Sequence, residues 1–136
     1  GSLLTSITPH LVDKGLVKEI NAAKADKMYI CNLFTQPGET DDFTVRDHID
    51  FLEKYLGKDS IDVVIANNAI MSSKLAMKYA NEEQKDPVLL DMHELVDSHI
   101  YVIADKLFTI EDGYYRHDSL KTGYLIFSYL MDGKKK

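Results

Sequence analysis

Asn32, Thr35, Gln36, Gly38, Glu39 and Thr40 lie together in one polar stretch, directly after the apolar run Met28-Tyr29-Ile30-Cys31. The amides of Asn32 and Gln36 each donate and accept, so they can read the edge of a pyrimidine or a sugar. Glu39 can accept hydrogen bonds from sugar hydroxyls. Pro37-Gly38 is a turn signal, so a plain turn and a ligand loop both fit this stretch. A loop at the C-terminal end of a parallel strand is where open α/β sheets bind ligands. A second group, Gly1, Ser2, Thr5 and Ser6, stands at the start of a helical turn. Free backbone amides and a positive dipole end make such a place an anion site. Plain N-capping by Ser2 fits the same spacing.

Other candidates are weaker. Asp47 beside His48 reads as dipole compensation next to a structural histidine. Asp41, Asp42 and Asp47 could assemble a magnesium site, though a solvated acidic loop is the plainer reading. The five histidines show no metal spacing, and the one cysteine cannot supply a zinc cluster. Cys31, set in an apolar run, reads as a small buried hydrophobe and suits a reducing cytoplasm. There is no Gly-x-Ser-x-Gly elbow. Arg116-His117-Asp118 reads as a loop and an N-cap, and Tyr114-Tyr115 as core or rim.

The elements that must position these residues come from a chain of 136 residues, the size of one domain, with 45% apolar content. A net charge of −6 argues against general affinity for nucleic acid or an anionic membrane. Arg46 and Arg116 are the only arginines, so phosphate recognition falls to backbone amides and hydroxyls. No apolar run reaches the ~18 residues of a membrane span, and no signal-peptide pattern is visible. Lys134-Lys135-Lys136 reads as a solvated tail.

The pattern predicts a helical turn over 3–8, restarted or kinked by Pro9, and a helix over 11–23. A strand over 27–33, covered on both faces, precedes the polar loop. Thr44 to Asp47 resembles a capping box. Val45, Ile49, Leu52 and Leu56 form the buried stripe of the helix that follows, which ends at Gly57. A second buried strand is expected over 61–66 and a helix from Ser72 or Ser73 to about Asn81. Further strands are expected over 88–90 and 100–104. Asp112-Gly113 marks a hairpin turn, and Asp118 caps a last helix reaching about Met131. Strands alternating with helices predict a three-layer α/β fold with a mostly parallel sheet flanked by helices.

Several segments resemble a known family. Gly1-Ser2-Leu3-Leu4-Thr5-Ser6-Ile7 with Pro9 is similar to the G-S-L-Y-T-S-I-x-P box of the gluconeogenesis factors, in the CofD-like (2-phospho-L-lactate transferase) superfamily. Lys27-Met28-Tyr29-Ile30-Cys31-Asn32-Leu33 with Thr35-Gln36-Pro37-Gly38-Glu39-Thr40 resembles that family's K-V-Y-V-C-N-x-M-T-Q-P-G-E-T stretch. Val45, Asp47-His48, Leu52 and Arg116-His117-Asp118 match further blocks in the same order. Leu4 and Phe34 depart from the family's tyrosine and methionine, both apolar exchanges.

The resemblance implies a Rossmann-like half of the CofD-like fold. On this reading residues 1–136 are a single domain fragment, with the glycine-rich N-terminal half absent and ligand bound between the halves. It implies a bacterial cytoplasmic regulatory protein, needed for cell shape during gluconeogenic growth, that binds a nucleotide sugar of the UDP-N-acetylglucosamine type. Phosphates are expected near Gly1-Ser2, and base or sugar near 32–40. No catalytic residue, metal or cofactor is assigned. The alternative is a transferase resembling 2-phospho-L-lactate transferase, with a divalent metal. A homo-oligomer is compatible with either.

Overall fold

The computed structural model describes residues 2–132. Residues 3–7 wind as a π-helical turn, in which the amides of Ser6 and Ile7 both donate to the Ser2 carbonyl. Pro9 supplies the physical reason. It has no N–H to offer the preceding turn and its ring presses on the carbonyl four residues back. The chain continues as α1 (Thr8–Leu11), with the proline in its first turn. Asp13 then caps α2 (Lys14–Ala22), accepting from the amides of Gly15 and Leu16. The helix expected over 11–23 therefore begins later, because Asp13 offers a cap and the α1 turn ends at Leu11.

Three strands, β1 (Met28–Ile30), β2 (Val63–Asn67) and β3 (Tyr101–Asp105), form one parallel sheet in the order β1-β2-β3. Met28 pairs with Val63, and Val63 with Tyr101. Helix α3 (Val45–Leu56) joins β1 to β2. Its capping box is complete: Thr44 Oγ1 accepts from the Asp47 amide, and the Asp47 carboxylate accepts from the Thr44 amide. Val45, Ile49, Leu52 and Leu56 form its buried stripe. Each such buried side chain contributes about 2 kcal/mol against about 1 for a cap, so packing holds α3 and the box sets where it starts. Helix α4 (Ser73–Glu83) follows β2.

The side-chain alternation of β2 divides the core. Val64 and Ala66 face a cluster with Leu3, α1 and α3, while Ile65 faces a second cluster with Tyr79 of α4, Leu107 and Tyr115. The second cluster is completed by the antiparallel hairpin β4 (Phe108–Glu111) and β5 (Tyr114–His117) and by α5 (Ser119–Asp132). The sheet thus lies between two apolar layers, the α/β fold expected. Asp112 and Gly113 take φ of 52° and 77°, the consecutive left-handed pair of a type I′ turn. Asp118 caps α5, its carboxylate accepting from the Lys121 amide.

Two expected strands differ. β1 is shorter than 27–33, and Tyr29 and Met28 pack on the two opposite clusters. It is an edge strand, and Ile30 is 39% exposed. Past the Cys31 amide, which donates to the Ile65 carbonyl, the chain leaves the sheet. It meets the segment expected as strand 88–90 through a single antiparallel bridge, Phe34 to Pro87. That segment packs Val88 and Leu90 on the α3 face without becoming a strand.

Candidate functional site

The loop 32–40 is built by its own hydroxyls. Thr35 and Thr40 are buried. Thr35 Oγ1 accepts from the Asp86 amide at 3.0 Å, and the Thr35 amide donates to the Asp86 carbonyl at 2.9 Å. Thr40 Oγ1 accepts from the Gln36 amide at 2.8 Å. Gly38 has φ of +78°, and its amide donates to Asp41. These residues shape the loop. The Asn32 carbonyl oxygen accepts from the Tyr29 phenol at 2.9 Å, so the buried Tyr29 orients the amide. Burial also pushes the Cys31 thiol up to about 12, which leaves it protonated and poorly nucleophilic.

Two sequence groups 37 residues apart come together. Ser2 Oγ donates to Glu39 Oε2 at 2.9 Å and accepts from the Thr5 amide at 3.3 Å. The Ser2 box and the loop are therefore neighbours, with a carboxylate at the head of the π-helical turn. Thr5 and Ser6 are exposed on that turn. Gly1 lies outside the described residues.

A second wall stands across from the loop. Asn32, Gln36 and Phe34 line an open cleft of about 310 Å³ with Tyr79, Lys85, Tyr114, Arg116 and His117. Phe34 stacks on Tyr79 at 4.4 Å between centroids, and the Tyr79 hydroxyl accepts from the Tyr115 amide at 2.8 Å. On β5, Tyr115 turns into the core while Tyr114 and Arg116 turn out. Tyr114 has Lys78 Nζ over its ring at 4.9 Å and the Arg116 guanidinium at 5.6 Å. Lys85 pairs with Glu83 at 3.3 Å. Partial burial holds the His117 imidazole below its ordinary pKa, so it stays neutral at pH 7. Glu83 also lines the cleft and pairs with Lys85, so Arg116 is the lining cation without a carboxylate partner among the ion pairs of the described residues.

Arg116 and His117, expected in a loop, are the end of β5. Sequence reasoning missed that this strand lines one cleft with Asn32 and Gln36. The signals present were the Asp112-Gly113 turn and the alternation Tyr114-Tyr115-Arg116.

The acidic and histidine candidates are engaged elsewhere. The Asp47 and Asp41 carboxylates accept backbone amides, and among the described residues no three His, Cys, Asp or Glu side chains are grouped to hold a metal ion. His48 Nδ1 donates to the Thr44 carbonyl at 2.7 Å, and its ring meets Phe43 edge-on at 5.5 Å. The buried Asp91 accepts from the Arg46 amide at 3.1 Å. The first-turn amides of α3 thus go to the Leu89 carbonyl, the Asp91 carboxylate and the Thr44 hydroxyl. No helix among the described residues is long and apolar enough to cross a membrane.

Residues 1–108 match the family described as 2-phospho-L-lactate transferase CofD. The gluconeogenesis factor of Bacillus subtilis is 36% identical over 132 residues, which are 97% of this chain and 41% of that protein. The gluconeogenesis factor of Halalkalibacterium halodurans is 33% identical over 136 residues, which are 100% of this chain and 41% of that protein. A crystal structure of a UPF0052 family member from Bacillus halodurans superimposes with a TM-score of 0.86 at 34% identity, covering 93% of this chain and 40% of that one. The chain spans less than half the length of these relatives.

Proposed function

This chain belongs to the 2-phospho-L-lactate transferase CofD family, and on that premise we propose that it forms one wall of a nucleotide-sugar site in a regulatory gluconeogenesis factor. The observation that carries this reading is the cleft in which the Asn32 and Gln36 amides face Lys85, Arg116 and His117 over an aromatic wall. A pyrimidine needs donors and acceptors along one edge, which the amides provide. A diphosphate needs a cation with a rigid fork of donors, which Arg116 provides, while Lys85 can turn to it only by leaving Glu83. The Ser2–Glu39 pair suits a neutral, hydroxyl-bearing sugar better than an unneutralised phosphate, because a bare carboxylate repels an anion. The Ser2, Thr5 and Ser6 hydroxyls then complete the sugar end. Names of relatives support a role in gluconeogenic growth, and we extend this to cell shape and to a cytoplasmic setting. The opposite wall of the cleft is assigned to the part of the full-length protein beyond residues 1–136.

The test is calorimetric titration of the full-length protein with UDP-N-acetylglucosamine. A charged hydrogen bond is worth about 1.5–3 kcal/mol, so Arg116→Ala weakens binding by about 10- to 100-fold, and Asn32→Ala weakens it with a lower melting temperature, because the buried Tyr29 phenol loses its acceptor. Undiminished binding by both variants overturns the assignment. The family description also supports a transferase reading. Turnover of a phospholactyl donor with magnesium by the same protein would establish that reading instead.

A further inference from the structure

We propose that Lys78 is a second cation of the cleft and that Tyr114 holds it beside Arg116, so that the pair takes two linked phosphates in preference to one. Both cations lean on one ring. The Lys78 ammonium lies 4.9 Å from the Tyr114 centroid and the Arg116 guanidinium 5.6 Å. Neither has a carboxylate partner among the ion pairs of the described residues, whereas Lys85 has Glu83 and Lys121 has Asp105. Glu111, opposite Tyr114 across the hairpin, pairs with neither. In a chain of net charge −6, these two cations stand together without an acid. They repel each other, and an anion that meets both relieves the repulsion.

The fold fixes where the pair stands. Tyr79, the neighbour of Lys78 on α4, is buried against Phe34, and its hydroxyl accepts from the Tyr115 amide at 2.8 Å. That bond ties α4 to β5. Tyr79 also meets the Tyr114 ring edge-on, at 6.4 Å and 87°. Tyr114 and Arg116 share the outer face of β5 by the period of a strand, and both line the cleft. Cation–π attraction keeps the two side chains on the ring. Lys78 is half-buried, and its flexible four-carbon stem lets the ammonium reach an anion at the Tyr114 edge of the cleft.

The chemistry of the two cations sets the ligand. A guanidinium takes two oxygens of one phosphate as a fork, and an ammonium serves another phosphate as a point charge. A single phosphate held by Arg116 leaves Lys78 on its ring, whereas a diphosphate meets both. Glu83, the carboxylate among the lining residues, is neutralised by Lys85. The assignment rests on the nucleotide-sugar reading of the cleft only for what lies beyond the two phosphates, so inorganic pyrophosphate tests it separately.

The test is calorimetric titration of the full-length protein with inorganic pyrophosphate, inorganic phosphate and UDP-N-acetylglucosamine, using Lys78→Gln, Tyr114→Phe and Tyr114→Leu. The wild type is expected to bind pyrophosphate about 10-fold or more tighter than phosphate. Lys78→Gln is expected to lose that preference with an unchanged melting temperature. Tyr114→Phe keeps the ring and is expected to bind as the wild type does, whereas Tyr114→Leu loses the preference as Lys78→Gln does. Equal wild-type affinity for the two anions, or no binding of pyrophosphate, overturns the proposal. So does a Lys78→Gln variant that keeps the wild-type preference. Wild-type binding by Tyr114→Leu overturns the part given to the ring. If pyrophosphate behaves as expected while UDP-N-acetylglucosamine binds no tighter than pyrophosphate, the cation pair stands and the nucleotide-sugar reading falls. If UDP-N-acetylglucosamine binding is weakened by Arg116→Ala and unchanged in Lys78→Gln, that reading stands and the cation pair falls.

Discussion

His48 illustrates how a residue type associated with catalysis is used as core. Its ring lies under Phe43, its Nδ1–H is spent on the Thr44 carbonyl, and burial lowers its pKa from the ordinary 6.5. The sign of the linkage follows. Between the lowered folded value and 6.5, the unfolded chain binds more protons than the folded one, so stability rises with pH there. Stability is complete above the ordinary value and is lost on acidification toward the folded value. Urea unfolding measured from about pH 7 to about pH 5 is expected to show falling stability, and His48→Leu a shallower slope. An unchanged slope would assign the protons elsewhere. His117 is lowered in the same direction, so His117→Ala is the companion variant. Unlike His48→Leu it is also expected to disturb ligand binding, because only His117 lines the cleft.

The hairpin is the element on which the site depends. β5 holds Tyr115 in the core, and by the period of a strand this fixes Tyr114 and Arg116 on the cleft side. Its register is set by Asp112-Gly113. A Cβ at Gly113 meets nothing within 4 Å, so Gly113→Ala tests backbone strain alone. At φ of +77° it is expected to cost about 1–2 kcal/mol, seen as a lower urea midpoint, with weaker nucleotide-sugar binding as β5 loosens. A loss of stability with undiminished affinity would separate the hairpin from the site. This turn was legible in the sequence, as were α3, from its capping box and stripe, and β2, from its β-branched run. Those signals are local. The shortening of β1 was not legible, because an apolar run does not say where the chain will leave one neighbour for another, as it does after Cys31 toward 86–88. Nor was the meeting of Arg116 and Lys85 with Asn32 and Gln36, which depends on how the layers stack. Ser2 and Glu39 each stood out by type, and only the fold shows that they touch.

At the scale of the whole molecule, the open edge of β1 lies next to the candidate loop. The Val63 amide donates to the Lys27 carbonyl, and the Cys31 amide donates to the Ile65 carbonyl. In a parallel ladder alternate residues face the same neighbour, so Met28 and Ile30 turn their amides away from β2. Ile30 is half-exposed, and an apolar groove of about 370 Å³ runs along this edge between Ile7, Leu11, Ile20, Leu52 and β1. An unpaired strand edge beside an apolar groove is a template for another strand. Relatives more than twice as long have the chain to supply one. A strand added there would place the loop 32–40 at the boundary between two halves of a sheet, where open α/β folds bind ligands. Hydrogen exchange distinguishes the cases. In residues 1–136 alone, the Ile30 amide is expected to exchange at close to the rate of an unstructured peptide, while the Cys31 amide is protected. In the full-length protein both are expected to be slow, and nucleotide-sugar affinity about 100-fold or more above that of the fragment, since half a cleft leaves most of a ligand in water. Equal affinity of the two would mean that the loop and hairpin form the whole site. A fast Ile30 amide in the full-length protein would mean that the sheet ends at β1 and that the second wall approaches from another side.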